Sequence, residues 1–279
     1  MKKLWLSVLI IISLGFVLAA CGGDDEASSD ANTIKVGASS TPHAEILEEA
    51  KPLLKEEGIT LEITEYEDYV LPNDDLANGE IDANYFQHIP YLEQTISDTG
   101  YKLDYIDGIH IEPIGVYSKG ISSIEEIPEG TEVVLSNSVS DRGRVLGLFE
   151  KNGIIKLADG VKTSEATLDD ITENPKNLTF SPDYDPALLP EIYETDEESL
   201  VVINTNYAIG AGLIPTDDAL FIEDEDSPYV NVIAVRAEDK DNKALNKLVD
   251  VLHSEKIQKF IEEEYEGAVV PVGDKKQAD

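Results

Sequence analysis

Past residue 32 the chain alternates short β-type runs with helical ones. Thr33–Ala38 (T-I-K-V-G-A) alternates apolar and polar positions with a period of two, as a half-buried strand does. Thr41-Pro42 predicts an N-cap and a proline at the first helical position, and Ile46, Leu47, Ala50, Leu53 and Leu54 then share one helix face. Pro52 lies inside that helix and is expected to kink or shorten it. Leu61 and Ile63 mark a second strand, Ile81–Phe86 a third, Ile89–Ser97 a helix, and Leu103–Ile106 and Ile109–Tyr117 further strands. Ser122-x-x-Glu125 fits a capping box, and Thr131–Ser136 follows as a strand. A helix is predicted over Arg144–Lys151, a buried strand over Leu200–Asn204 and a strand over Val230–Val235. The C-terminus is helical, with Leu245, Leu248, Val249 and Leu252 spaced for one face. With no internal repeat, this alternation predicts an α/β chain with mostly parallel sheets.

The first residues follow another logic. Lys2 and Lys3 precede an apolar stretch, Leu4–Ala19, broken only by Ser7, Ser13 and Gly15. It is at the short limit for a spanning helix, which needs about 20 apolar residues. An uncleaved anchor is the plain alternative. Leu18-Ala19-Ala20-Cys21, however, sets small residues before the chain's one cysteine, as a lipoprotein signal peptidase requires. Residues 1–20 therefore read as an export signal and Cys21 as the lipidated first residue of the mature protein. A thioether diacylglycerol and an N-acyl chain, palmitate among the candidates, would give a stable anchor. Residues 21–32, rich in Gly, Ser, Asp and Glu, read as a flexible tether. The remainder is long enough for two domains of about 100–200 residues each.

Composition narrows the choices. Apolar residues make up 42% of the chain, enough for proper cores. The single cysteine is consumed by the lipid, so disulfides, cysteine metal sites and thiol nucleophiles are excluded from the mature domain. With 57 acidic and 21 basic residues the net charge is −36, which repels nucleic acid and anionic membrane surfaces alike. That charge reads as a solvating surface, and among so many carboxylates a pair at catalytic spacing carries little information. No Gly-x-Ser-x-Gly, His-Glu-x-x-His or phosphate-loop pattern occurs, so no enzyme is indicated.

Four groups could carry chemistry. Tyr69, in Asp68-Tyr69-Val70-Leu71-Pro72-Asn73, sits in a turn opening a short helix and could simply pack that loop. Phe86, His88 and Tyr91 crowd the end of a strand, where ligand sites of open α/β sheets lie, although they could equally be core. Ser140-Asp141-Arg142-Gly143-Arg144 holds two of the chain's three arginines between a strand and a helix. A helix N-terminus beside an arginine can grip a carboxylate bidentately; the alternative is charge neutralisation on an acidic surface. Asn204 ends the apolar run Val201-Val202-Ile203 and could be a turn former or offer a donor and an acceptor to a zwitterion. Together they make up the equipment of an amino-acid site of the kind that lies between domains.

Asp68-Tyr69-Val70-Leu71-Pro72-Asn73, Ile81-Asp82-Ala83-Asn84, Phe86-Gln87-His88, Pro90-Tyr91-Leu92, Asn174-Pro175-Lys176-Asn177-Leu178, Val202-Ile203-Asn204-Thr205 and Ser227-Pro228-Tyr229-Val230-Asn231 resemble, in order and spacing, the methionine-binding lipoprotein (NlpA/MetQ type) family of ABC-importer substrate-binding proteins. The resemblance implies a type II periplasmic-binding-protein-like fold, two α/β domains closing on a ligand, with crossings near Glu112–Gly115 and Tyr229–Val232. Domain I would comprise residues 33–113 and 231–279, and domain II residues 114–230. It also implies a side-chain pocket of Tyr69, Phe86, His88 and Tyr91, a carboxylate-binding Arg144 and a key amide at Asn204. The implied protein is a monomer that uses no cofactor, sits on the extracytoplasmic face of the cell membrane, and delivers L- or D-methionine to a permease and ATPase complex.

Departures from the family pattern bear on the ligand. Where Pro-Asn-Asp-Pro-Thr-Asn is common, this chain has Ser136-Asn137-Ser138-Val139-Ser140-Asp141, with Arg142 in place of an apolar residue. Glu112-Pro113-Ile114 replaces a usual Tyr-Pro-Ile. Asp141 near the zwitterion would favour an extra positive charge or a displaced amino group, as in a short peptide, so a methionine-containing dipeptide or another amino acid stands behind methionine. Two readings from other classes are an adhesin-like surface role, which leaves the pocket groups unexplained, and a zinc-capturing protein using His43, His88 and His110 with an acid.

Overall fold

The computed structural model describes residues 32–224 and 227–273. The signal sequence, the lipidated Cys21, all but the last residue of the tether and the final six residues assigned to domain I lie outside the described residues. Among those described, no helix is long and apolar enough to cross a membrane.

In chain order, β1 (Thr33–Ser39), α1 (Glu45–Glu56), β2 (Thr60–Tyr66), α2 (Leu71–Asn78), β3 (Ala83–Tyr85), α3 (Ile89–Thr99) and β4 (Leu103–Ile111) come first. There follow β5 (Gly115–Tyr117), β6 (Glu132–Ser136), α4 (Val139–Lys151), β7 (Lys156–Leu157), β8 (Ile171–Glu173) and β9 (Thr179–Tyr184). Then come α5 (Leu189–Thr195), β10 (Leu200–Ile203), α6 (Thr205–Gly210), α7 (Pro215–Asp218) and β11 (Phe221–Ile222). The chain ends with β12 (Val230–Arg236), α8 (Lys243–Leu252), α9 (Glu255–Tyr265) and β13 (Val270–Pro271).

The strands form two main sheets, ordered β13-β4-β12-β3-β1-β2 and β11-β5-β10-β6-β9, with β7 and β8 as a separate pair. The first takes strands from both ends of the chain and the second only from its middle, giving two lobes. The expectation of mostly parallel sheets is corrected: both are mixed. β1–β3, β6–β10 and β6–β9 are parallel. β12 runs antiparallel to β3 and β4, as does β13 to β4 and β5 to β10 and β11. The strand that leaves the first lobe, β4, lies beside the one that returns, β12, so the two must run in opposite directions.

Alternation along the strands divides each lobe into two cores. In β10, Leu200 and Val202 join the cluster containing Val145, Leu146 and Phe149 of α4, while Val201 and Ile203 face Leu189 and Ala208 of α5 and α6. In β12, Ile233 and Val235 join the core under α1, α8 and α9, while Val232 and Ala234 pack with Leu76 and Leu92 of α2 and α3. A strand covered on both faces reads as a continuous apolar run, which is why both were legible.

Four local expectations are corrected. Thr41 does not cap α1: its dihedrals are extended (φ −125°, ψ 138°), a π-helical turn spans Ser40–Ala44, and its hydroxyl donates to Glu45 Oε1. α1 is not cut at Pro52 but runs on to Glu56: Pro52 is on the exposed side, while Ile46, Leu47, Ala50 and Leu54 hold the helix to the core. Ser122 caps nothing; a short 3-10 turn, Ile124–Glu126, starts after Ser123 without a side-chain cap. β4 is not broken near Gly108. That glycine pairs with Val232 at an irregularity, and a Cβ on it would lie 2.4 Å from Val230 Cγ1, so it marks a close approach within a strand rather than a turn.

Candidate ligand site between the two sheets

Tyr69 is presented by an Asx turn: Asp68 Oδ1 accepts from the N–H groups of Val70 (2.7 Å) and Leu71 (2.9 Å) where α2 begins. Beneath it, buried amides lock α2 to the end of β3. Asn73 Nδ2 donates to Gln87 Oε1, Asn84 Nδ2 to Asn73 Oδ1, and Gln87 Nε2 to both Asn73 Oδ1 and Asn84 Oδ1. This ring fixes the segment carrying Phe86 and His88. His88 is the N-cap of α3, its Nδ1 accepting from Tyr91 N (3.1 Å), so Nε2 carries the proton and faces the second lobe. The rings of Tyr69, Phe86 and Tyr91 lie 5.8–6.1 Å apart, and Tyr91 Oη donates to the Tyr69 carbonyl. Burial pushes the Tyr91 phenol up to about 12, so it stays a neutral donor.

The second lobe answers from α4 and from the end of β10. α4 begins at Val139 rather than Arg144, so Asp141 and Arg144 stand on its first turns, at positions i and i+3 of one face. Gly143 lets this helix sit close to the neighbouring loop: a Cβ there would be 2.2 Å from the Thr163 carbonyl oxygen. Asp141 Oδ1 accepts from His88 Nε2 across the cleft at 2.9 Å, and Oδ2 from Asn204 Nδ2 at 3.3 Å. Burial alone would raise the Asp141 carboxyl, but His88, Arg144 and Asn204 outweigh it and hold the group well below the usual carboxylate range. Asn204 caps α6 in position but not by a side-chain bond, and its buried Oδ1 has no hydrogen-bond partner.

One cavity is lined by all seven residues singled out in the sequence: Tyr69, Phe86, His88, Tyr91, Asp141, Arg144 and Asn204. Gln87, Glu112, Thr205, Asn206 and Asn231 also line it. Tyr69 Oη donates to Asn206 Oδ1 (2.6 Å) and Tyr207 Oη to the Glu67 carbonyl (3.0 Å), adding two bonds between lobes. Arg144 departs from the expected bidentate grip. Its Nε donates to Glu223 Oε2 (2.8 Å), while Nη2 donates to the same oxygen and to the Glu112 carbonyl (2.6 Å). Only Nη1 is left for a ligand, with Asp141 Oδ1 3.6 Å away.

The three histidines expected to gather for zinc do not converge, because His88 pairs with Asp141. The one metal-capable group among the described residues is His43, His110 and Glu112. Its facing atoms already serve one another. Glu112 Oε1 meets His43 Nε2 (3.1 Å) and His110 Nε2 (2.8 Å), His110 Nδ1 bonds Tyr85 Oη, and His43 Nε2 also bonds Asn231 Oδ1. Glu112 Oε2 accepts from Asn206 N in the second lobe (3.2 Å). Burial opposes ionisation of Glu112, but the two histidines reverse that and hold it well below its ordinary value. It is a buried hydrogen-bond junction between β4 and β5, and the sequence signals for it are the Glu-Pro departure and the two histidines weighed for zinc. Asn231 lies inside the Ser227–Asn231 motif, and Asn206 directly follows the Val202–Thr205 motif, but neither is marked as a site residue by its sequence context. Glu223, one acid among 57, had no signal.

A family model described as NlpA lipoprotein matches residues 34–273. The chain belongs to the NlpA lipoprotein family. Among relatives of this family member, the methionine-binding lipoprotein MetQ of Bacillus subtilis is 48% identical over 276 residues, 98% of this chain and 100% of that protein. A crystal structure of a pheromone cOB1 precursor/lipoprotein of the YaeC family from Enterococcus faecalis superposes with a TM-score of 0.84 at 49% identity, covering 86% of this chain and 100% of that one. A nutrient-binding protein from Burkholderia cenocepacia, solved bound to methionine, gives 0.81 at 40% identity, covering 86% and 100%. The fold is thus the two-lobed one of periplasmic-binding-type proteins, and the family's role is substrate binding rather than catalysis.

Proposed function

We propose that the chain is the lipid-anchored, extracytoplasmic substrate-binding protein of an ABC importer, and that it captures methionine in the cleft between its lobes. The observation that carries this reading is the lining of the cavity described above, which combines the rings of Tyr69, Phe86 and Tyr91 with Arg144, Asp141 and Asn204, whose buried Oδ1 has no partner. A thioether among the rings gains about 0.3–1.5 kcal/mol per sulfur–aromatic contact. The carboxylate would meet Nη1, and the ammonium would meet Asn204 Oδ1 and Asp141. The relative solved with methionine supports the same ligand here.

In this reading Cys21 carries the lipid that keeps a monomeric protein beside its permease and ATPase. Residues 33–113 with 231–279 would move against 114–230, the chain crossing near Glu112–Gly115 and Tyr229–Val232. Ligand would shift the population toward the closed form through its greater affinity for that state.

A thermal-shift panel separates the candidates: L- and D-methionine, glycyl-methionine, other amino acids and zinc. Ligand at about 100 times Kd adds about 2.7 kcal/mol, a Tm rise of about 5–10 °C for a chain of this size. Methionine is expected to give that rise and zinc none. A chelator-reversible zinc shift without any methionine shift would overturn the assignment.

A further inference from the structure

We infer that Glu223 is a positioning residue for ligand recognition: it holds the Arg144 guanidinium so that Nη1 alone faces the cleft. The inference rests on the reading that Arg144 meets a ligand carboxylate. A guanidinium has five N–H donors, and here the Nε hydrogen and both Nη2 hydrogens are consumed by Glu223 Oε2 and the Glu112 carbonyl. Tyr229 covers the group, its ring centre 4.5 Å from Cζ. Glu223 is itself held, since Oε1 accepts from Ser227 Oγ (3.0 Å) and Oε2 from Ile114 N (3.4 Å). Glu223 therefore joins the departing segment after β4, the returning segment before β12, and the arginine on α4.

Two consequences follow physically. An arginine side chain is rotamer-rich, and immobilising it during binding costs affinity; a guanidinium fixed on folding spares that cost. Without Glu223, moreover, the nearest anion is Asp141, 3.6 Å from Nη1, and the released guanidinium would collapse onto it. The donor meant for the ligand would then be spent inside the protein.

The test is a double-mutant cycle on the full-length protein in detergent, read as L-methionine affinity. Glu223→Ala is expected to weaken binding by about 30-fold, in the range for hydrogen bonds to charged groups. Glu223→Gln keeps an acceptor for Nε and Nη2, and is expected to stay within about 5-fold of the unmodified protein. In an Arg144→Ala background, Glu223→Ala is expected to have no further effect beyond about 2-fold, because it acts through the arginine. An unchanged affinity in Glu223→Ala, or the same loss in both backgrounds, overturns the inference. If Arg144→Ala alone binds like the unmodified protein, it is the underlying assignment of Arg144 that fails. Thermal melts of each variant separate lost folding from lost recognition.

Discussion

Arg144→Ala is expected to lower methionine affinity by at least about 100-fold and to destabilise the protein as well. The affinity loss follows from removing the sole cationic donor lining the cavity that is charged at every working pH. The stability loss follows from what is left behind. Glu223 and Asp141 lose their common partner, and removing one member of a buried ion pair costs about 3–5 kcal/mol, equivalent to a Tm fall of about 6–20 °C here. Arg144→Ala combined with Glu223→Ala is expected to recover part of the Tm but none of the affinity. Calorimetry and melting curves on the three variants check this. A single mutant that melts like the unmodified protein would mean that the carboxylates are not held by the arginine.

Asp141→Asn is expected to cost about 2–3 kcal/mol at pH 7 and to flatten the acid limb of the stability profile. Asp141 is ionised in the folded protein to a pH well below that at which an unfolded chain would protonate it. A depressed folded pKa means that the unfolded state binds the proton first. The contribution of this group is therefore full above about pH 5 and lost as pH falls through about 4 and below. Glu112 acts in the same direction and window, so the variant should retain part of the acid sensitivity. Urea midpoints measured between pH 7 and pH 3 read the difference directly. If Asp141→Asn and the unmodified protein lose stability in parallel with falling pH, the His88–Asp141 bridge does not carry it.

What could be read from the sequence divides along physical lines. The β10 and β12 runs and the α8 face were legible because burial imposes periodicity on many residues at once. The start of α4 was not, since Gly143 looks like a helix breaker until the Thr163 backbone is seen against it. Gly108 misled in the same way, a close strand approach passing for a turn. A reciprocal capping box does exist, between Thr167 and Asp170, but the Ser122 pattern that resembles one makes no such bonds. At the proposed site, the aromatic residues, His88, Asp141, Arg144 and Asn204 stand out in motifs, and the structure brings them to one cavity. Their wiring was not legible: that Asp141 spans to His88, and that Arg144 gives most of its donors to Glu223 and Glu112, depends on contacts 53, 79 and 32 residues apart in sequence.

Isothermal titration with L-methionine, on full-length protein unfolded and refolded to strip any carried ligand, bears most directly on the proposed role. One saturable event with one methionine per chain, weakened by at least about 100-fold in Arg144→Ala, is the expected result. No saturable heat with methionine, from refolded protein that does bind another amino acid, a peptide or zinc, would contradict it.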